Sequence, residues 1–135
     1  MRIADVMTRD LPTADPQASI RDAAREMRRT GIRALPVCEG PRLVGIVTDW
    51  DLVEALAGEG DPGGQSLADF MSTDLVAVPP DATLTDAAEM MAEREVHHLL
   101  VQDGDRLEGM VHLDVEWSQL SSAGGPPVAS FTAAI

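Results

Sequence analysis

Ile3-Ala-Asp-Val-Met7 recurs as Leu67-Ala-Asp-Phe-Met71, and these stretches open two halves of the chain that repeat each other without a gap. The offset stays at 64 residues as far as Leu56 and Leu120. A period this long in only two copies does not fit a solenoid, whose repeats are about 20–50 residues long. The register therefore predicts two similar subdomains. Each is near the size at which a core becomes marginal, so we expect them to share one apolar interface.

The composition is that of an ordinary globular protein, with 44% apolar residues among 135 and a net charge of −13. This charge argues against a nucleic-acid partner, because nucleic-acid affinity comes chiefly from neutralising phosphates. Residues 1–60 carry eight arginines and ten acids, whereas residues 61–135 carry two arginines and thirteen acids. An anion is therefore better accommodated in the first half. All ten basic residues are arginines, which suit forked contacts with phosphate, although a coding bias explains the missing lysines equally well.

Neither a basic start followed by an apolar run nor an apolar stretch near the ~20 residues that span a bilayer is present. We therefore expect a cytoplasmic protein without membrane contact. The single Cys38 cannot form an internal disulfide, and its counterpart in the second half is Gln102. We interpret Cys38 as a buried strand-end residue, and we predict no catalytic residues and no enzyme activity because no nucleophile and base constellation accompanies it.

Periodicity predicts the same elements in both halves. Apolar residues at positions i, i+3, i+4 and i+7 behind a capping pair predict one amphipathic helix per half, ending near Gly31 and Glu95. Apolar runs around two turns then predict two hairpins, each followed by a last helix. The helical positions are Ile20, Ala23, Ala24 and Met27, and Leu84, Ala87, Ala88 and Met91; the turns are Glu39-Gly40-Pro41 and Asp103-Gly104-Asp105; the last helices are Asp49–Ala57 and Leu113–Leu120.

These elements divide the chain into four segments. We assign residues 1–57 to the first repeat, residues 58–65 to a glycine-rich linker and residues 66–120 to the second repeat. Residues 121–135 are interpreted as a flexible C-terminal tail, since chain ends are usually mobile unless tied down. The last residues of this tail are apolar enough to dock on another surface, which remains the alternative.

The stretch Gly45-Ile-Val-Thr-Asp-Trp-Asp51 passes directly from a strand into a helix. Free backbone N–H groups, the positive end of the helix dipole and the Thr48 hydroxyl are expected to make this corner an anion site. Asp51 faces the same corner, where its carboxylate can accept hydrogen bonds from a vicinal diol such as that of ribose. Thr48 and Asp51 also fit an ordinary capping box, so their spacing alone does not decide between ligand binding and helix capping.

Over residues 3–120 the chain resembles a tandem pair of cystathionine-β-synthase-type (CBS) domains, also called a Bateman module. The resemblance rests on Val6-Met-Thr8, on Gly31-Ile-Arg-Ala-Leu-Pro-Val37 and on the glycine, hydrophobic, x, Thr, x, x, Asp pattern of Gly45–Asp51. It implies an α/β fold of two pseudo-symmetric β-α-β-β-α repeats packed through their sheets. It also implies a regulatory module, without catalysis, that binds AMP, ADP, ATP, S-adenosylmethionine or a related nucleotide and modulates a partner.

The resemblance further implies roles for individual residues. Asp51 would hold the ribose hydroxyls, Thr48 the phosphate, and Arg33 would add a charge-assisted phosphate contact. Ile46 belongs to the same motif. The base pocket of similar proteins comes largely from the other repeat, and basic residues before its second strand often reach the phosphates. The positions implied there are Leu75, Val76, Val96, His97 and His98.

The second repeat departs from the motif, because His112 stands where Thr48 does and Val115 where Asp51 does. Asp114 is one residue early, about 100° away around a helix, and should not substitute for Asp51. We therefore predict one good nucleotide site per chain, and whether the second cleft binds anything stays open.

Two further expectations concern other partners. We predict no metal site, since adjacent His97 and His98 point to opposite faces of a strand and cannot easily share one ion. Trp50 and Trp117 lie on the last helices, where members of the resembled family usually dimerise, so a homodimer through the repeat helices is expected. The alternative function is a dimeric CBS-fold scaffold that has lost its ligand and docks an unknown protein partner.

Overall fold

The computed structural model describes residues 1–113 and 131–133, and it has an α/β fold. Two short 3₁₀ helices, Ile3–Asp5 and Leu67–Asp69, open the two sequence repeats. The longer elements are α1 (Ile20–Thr30), β1 (Ala34–Glu39), β2 (Arg42–Thr48), α2 (Asp49–Ala57), β3 (Ala77–Val78), α3 (Leu84–Arg94), β4 (His98–Asp103), β5 (Arg106–Leu113) and β6 (Phe131–Ala133).

The helices begin and end where the capping residues predict. Ser19 caps α1 by accepting a hydrogen bond from the backbone N–H of Asp22 at 3.0 Å, and Gly31 ends the helix in the left-handed conformation. Thr83 caps α3 in the same way, and Glu95 ends it with a φ of 52°. A left-handed residue satisfies the last helical carbonyls and reverses the chain, so both sequence predictions are confirmed.

Both predicted hairpins are confirmed. Gly40 and Gly104 turn the two hairpins at φ 60° and 64°, a conformation that costs glycine little because it has no Cβ. α2 spans the predicted Asp49–Ala57. In the second repeat, however, Leu113 is the last residue of β5 rather than the start of a helix, and the remainder of the predicted helix lies outside the described residues.

The chain forms two compact units, which we call the Pro12 unit (Pro12–Leu75) and the Met1 unit (Met1–Leu11 with the described residues from Val76 onward). Ile3 belongs to the Met1 unit, where its backbone N–H donates to Ala82 at 2.8 Å. Leu67 correspondingly belongs to the Pro12 unit and donates to Ala18 at 2.9 Å. The opening segment of each sequence repeat thus packs in the unit that contains the hairpin of the other repeat.

The core of the Met1 unit shows why the opening segment belongs there. Ile3 is fully buried and Met7 is 9% exposed, and both lie in one apolar cluster with residues of β3, α3, β4 and β5. Burial of side chains of this size contributes roughly 1.5–3 kcal/mol each. The other members of the cluster are Val78, Ala87, Met91, Leu99, Val101 and Val111.

The predicted tail contains one strand that the sequence interpretation did not anticipate. Phe131–Ala133 form β6, which pairs antiparallel with the end of β5. Thr132 lies opposite His112 in this ladder. The backbone of these three residues is therefore ordered by hydrogen bonding with β5. Residues 114–130, which connect β5 to β6, lie outside the described part of the chain.

Candidate functional site

The corner between β2 and α2 is built by Thr48 and Asp51, as the sequence motif predicts. Thr48 ends β2 and caps α2, and its backbone N–H donates to Asp51 Oδ2 at 2.8 Å. In return the Asp51 backbone N–H donates to Thr48 Oγ1 at 3.3 Å, and that hydroxyl donates to Asp51 Oδ2 at 3.1 Å. The two residues therefore form the reciprocal capping box that was one of the two interpretations of their spacing.

The expectation of free backbone N–H groups at this helix start is wrong. The N–H of Asp49 donates to the carbonyl of Arg33 at 3.0 Å, and the N–H of Trp50 donates to Asp49 Oδ1 at 2.9 Å. With the N–H of Asp51 bound to Thr48, the first three amides of α2 are all occupied. Two carboxylates, those of Asp49 and Asp51, already lie at the positive end of the helix dipole. The amides therefore do not form a vacant phosphate cradle.

The corner instead offers hydrogen-bond acceptors. Asp51 is half-buried, and both bonds from Thr48 reach its Oδ2. Its Oδ1 receives no donor from residues 1–113 or 131–133. An ionised carboxylate oxygen has two lone pairs, so Oδ1 can accept from hydroxyl groups while Oδ2 keeps the helix cap. This arrangement suits a ligand that presents hydroxyl donors.

Arg33 lies beside the same corner. Its carbonyl binds the first amide of α2, and the next residue, Ala34, pairs with Thr48 across β1 and β2. The Arg33 side chain is exposed, and within the described residues its guanidinium makes neither a hydrogen bond nor an ion pair. A guanidinium carried on the residue that borders this corner, and unpaired among the described residues, is able to donate to a phosphate or carboxylate of a ligand.

The segment containing Met71 and Ser72 packs against β2 at Gly45 and Ile46. The backbone of Ile46 exchanges two hydrogen bonds with Ser72, at 3.0 and 2.9 Å. A Cβ at Gly45 would lie 2.5 Å from Met71 Sδ and 3.1 Å from the Ser72 carbonyl, so glycine is what permits this approach. Gly109 plays the same part in the Met1 unit, where a Cβ would lie 2.8 Å from the Thr8 carbonyl. Both glycines therefore allow a neighbouring backbone segment to approach the strand closely.

The structure places the remaining predicted site residues in two groups. Leu75 belongs to the Pro12 unit with Thr48, Asp51, Arg33 and Ile46, and it is half-buried. The others belong to the Met1 unit, where Val76 and Val96 pack against the apolar cluster and the carbonyl of Val76 accepts a hydrogen bond from β4. His97 is exposed and His98 is half-buried. The residues of this second group are Val76, Val96, His97 and His98.

The pairing of His98 with His112 escaped the sequence analysis. Their ring nitrogens lie 3.2 Å apart, and their ring centroids are separated by 4.7 Å. An unbroken ladder from the hairpin turn would place His98 opposite Val111, but a register shift between Val101 and Gln102 moves it opposite His112. Because a bulge is not visible in a pattern of apolar residues, only the structure could reveal this contact. Within residues 1–113 and 131–133, no group of three or more His, Cys, Asp or Glu residues could hold a metal ion.

Cys38 is buried in β1, and burial raises the pKa of its thiol above the ordinary value. Desolvation disfavours the thiolate, which is the reactive form, so this environment is that of an inert core cysteine. This agrees with the interpretation of Cys38 as a buried strand residue. The helices of the described ranges are too short or too polar for any of them to span a bilayer.

Comparison with known families identifies the fold. Residues 3–58 and 67–114 match the CBS domain family, and the chain belongs to that family. It is 33% identical over 121 residues to the CBS domain-containing protein YhcV of Bacillus subtilis, covering 89% of this chain and 86% of YhcV. It is 37% identical over 116 residues to the arabinose 5-phosphate isomerase KdsD of Yersinia pestis, covering 84% of this chain but only 35% of the isomerase.

Solved structures extend this likeness. CBSX2, whose crystal structure is a complex with AMP, matches with a TM-score of 0.70 and 28% identity over 81% of this chain and 87% of CBSX2. The CBS domain pair of protein MJ0100, in complex with 5′-methylthioadenosine and S-adenosyl-L-methionine, matches with a TM-score of 0.73 and 25% identity over 91% of this chain and 94% of that pair. Both similar structures are CBS proteins in complex with adenosyl ligands.

Proposed function

We propose that the chain is a regulatory module that binds one adenosyl ligand, such as AMP, ADP, ATP or S-adenosylmethionine, at the β2–α2 corner. The observation that carries this proposal is the half-buried Asp51, whose Oδ1 has no donor among the described residues while its Oδ2 is held by Thr48. A ribose presents two adjacent hydroxyl donors, and the two lone pairs of the open Oδ1 can accept them while Oδ2 keeps the helix cap.

Phosphate recognition in this proposal falls mainly to Arg33. The first three amides of α2 are occupied, and the single proton of the Thr48 hydroxyl is directed at Asp51. Thr48 can donate to a phosphate only by rotating its hydroxyl away from Asp51, whereas the exposed Arg33 guanidinium can donate without losing a partner among the described residues. The other contacts proposed from the family resemblance are Ile46, Leu75, Val76, Val96, His97 and His98.

The two similar structures with adenosyl ligands support this choice of ligand class. We assign no reaction to the chain, and the activity of the isomerase relative is not transferred because the chain spans about a third of its length. Ligand binding would act by altering contact with a protein partner. We also propose a homodimer through the repeat helices, because α2 exposes Trp50, Val53 and Leu56 by 63%, 50% and 61%.

One observation favours the alternative of a ligand-free docking scaffold. The capping box alone accounts for the presence of both Thr48 and Asp51, since the pair satisfies two backbone N–H groups at the start of α2. A scaffold of this kind would keep the motif for stability after losing its ligand. The two functions therefore differ in ligand binding and not in fold.

Isothermal titration calorimetry of the folded, ligand-free protein with AMP, ATP, S-adenosylmethionine and GTP distinguishes them. We expect saturable binding of an adenosyl ligand, near one per chain, with GTP as the control for base selectivity. The absence of binding heat with all four compounds would favour the scaffold. Saturation at two per chain would contradict the assignment of a single site.

A further inference from the structure

The open end of the β4–β5 hairpin holds two histidine rings against each other. His112 Nδ1 lies 3.2 Å from His98 Nε2, and the two half-buried side chains come from directly opposite positions of the ladder. A neutral imidazole has a proton on one ring nitrogen and a lone pair on the other. The contact therefore serves as a hydrogen bond between neutral rings, and it also brings together two nitrogens that become metal ligands when neither carries a proton.

The separation of these nitrogens matches that of two ligands on one metal ion. Zn²⁺ binds histidine nitrogen at about 2.0–2.1 Å with tetrahedral angles, and Cu²⁺ and Ni²⁺ favour angles of about 90°. Two nitrogens bound to one ion at such lengths and angles lie roughly 2.8–3.4 Å apart. The observed 3.2 Å falls within this range, so both rings would reach one ion with little movement of the backbone.

The sheet holds both histidines in place. Their neighbours Leu99 and Val111 are fully buried and pair with each other in the ladder, which anchors the two strands beside the rings. The backbone of His112 also pairs with Thr132 of β6. Two ligands on a packed sheet lose little conformational freedom when an ion binds, which favours affinity. Because both rings are only half-buried, an ion and its water ligands have access to them.

The equivalent positions of the Pro12 unit carry no such ligands. Ala34 and Thr48 pair across β1 and β2 at positions 64 residues before His98 and His112. Both ladders shift register at equivalent points, so the same opposition of backbone positions exists in both units. Only the Met1 unit places an imidazole at each position. The change of the motif threonine to His112 thus supplies a nitrogen ligand where the first repeat has a helix cap.

From this geometry we propose that His98 and His112 form a binding site for a divalent transition-metal ion such as Zn²⁺ or Cu²⁺, with water completing the coordination. Imidazole nitrogen suits these ions, whereas Mg²⁺ and Ca²⁺ prefer oxygen ligands. Within residues 1–113 and 131–133 no third His, Cys, Asp or Glu joins the pair, so the site binds more weakly than a four-ligand structural zinc centre. The prediction against a metal site concerned the adjacent His97 and His98, and it does not apply to ligands from two opposed strands.

Calorimetric titration of the untagged, nucleotide-free protein with ZnCl₂ at pH 7.5 in excess MgCl₂ tests the site. The Mg²⁺ occupies weak carboxylate sites on a chain of net charge −13. We expect one zinc ion per chain. Changes beyond the ligands themselves already cost about 10–100-fold in metal affinity, so His98→Ala and His112→Ala should each weaken zinc binding at least about tenfold. His97→Ala is the matched control, because it removes the remaining one of three histidines, and it should bind zinc within twofold of the wild type.

Electron paramagnetic resonance of the Cu²⁺-loaded protein counts the nitrogen ligands. We expect two in the wild type and one fewer in each single variant, with His98→Gln and His112→Gln replacing the alanine variants if those do not fold by circular dichroism. The proposal is overturned if the wild type shows no saturable zinc binding, if His98→Ala and His112→Ala keep its affinity, or if His97→Ala loses as much as they do. Because no nucleotide is present, these results are independent of the proposed adenosyl site, to which His98 is also assigned.

Discussion

Replacing Asp51 by alanine should have two separable effects, because the carboxylate has two tasks in the structure. Its Oδ2 accepts hydrogen bonds from the backbone N–H and the hydroxyl of Thr48, so its removal breaks the capping box of α2. Loss of a cap costs on the order of 1 kcal/mol of stability. Because Asp51 is half-buried, we expect the free energy of unfolding to fall by about 1–2 kcal/mol.

The effect on binding comes from Oδ1. Hydrogen bonds to a charged group contribute about 1.5–3 kcal/mol each. Loss of one such bond to a ribose hydroxyl would raise the dissociation constant of the adenosyl ligand by roughly 10- to 150-fold. Calorimetric titration measures this constant, and urea unfolding of the same variant measures the stability. The expected binding loss thus exceeds what a small change in the folded fraction can produce.

Asp22→Ala is the matched control, because Ser19 and Asp22 form the same reciprocal capping box at the start of α1. This variant should lose about 1 kcal/mol of stability and bind the ligand within twofold of the wild type. Equal weakening of binding by Asp22→Ala and Asp51→Ala would show that helix capping, rather than ligand contact, explains the effect. Unchanged binding by Asp51→Ala would refute the assignment of the ribose to this corner.

Two further predictions concern the architecture around the corner. Gly45→Ala should destabilise the protein by about 1–3 kcal/mol in urea unfolding, since its Cβ would lie 3.1 Å from the Ser72 carbonyl. The control Gly58→Ala, at φ −78° with its nearest contact at 3.5 Å, should change stability by less than about 0.5 kcal/mol. Equal losses of stability in the two variants would contradict the close-approach argument. Cys38 should react with iodoacetamide at least about tenfold more slowly in the folded than in the urea-unfolded protein, since burial raises its thiol pKa. Equally fast reaction of folded and unfolded protein would refute the burial argument. Because the thiol pKa is higher in the folded protein than the unfolded value near 9.0, ionisation of Cys38 should leave the free energy of unfolding unchanged below that pH and lower it as the pH rises towards the folded pKa.

The hydrogen bonds at the start of α2 show where the sequence-based prediction of the site was incomplete. The Gly45–Asp51 motif predicted roles for Thr48 and Asp51, the family resemblance implied a role for Arg33, and the structure places all three in the Pro12 unit. The motif could not show that the amides of Asp49 and Trp50 are occupied, because one of their acceptors is the Arg33 carbonyl, sixteen residues earlier in the chain. Contacts of this kind depend on how β1 and β2 pair, and that pairing moves the proposed phosphate contact from the amides to Arg33.

By itself the sequence determined the internal repeat, α1 and α3 with their caps, α2 and the two hairpins. The helix caps and hairpin turns could be predicted because each depends on residues within a few positions of one another. Only the tertiary structure decided that Ile3 packs in the Met1 unit and Leu67 in the Pro12 unit. A short apolar segment is compatible with either core, so its sequence alone does not specify the one in which it is buried. The opposition of His98 and His112 was likewise decided by a register shift within the β4–β5 ladder. Local periodicity reports which side of an element is buried, whereas the partner of that side depends on packing between segments far apart in the chain.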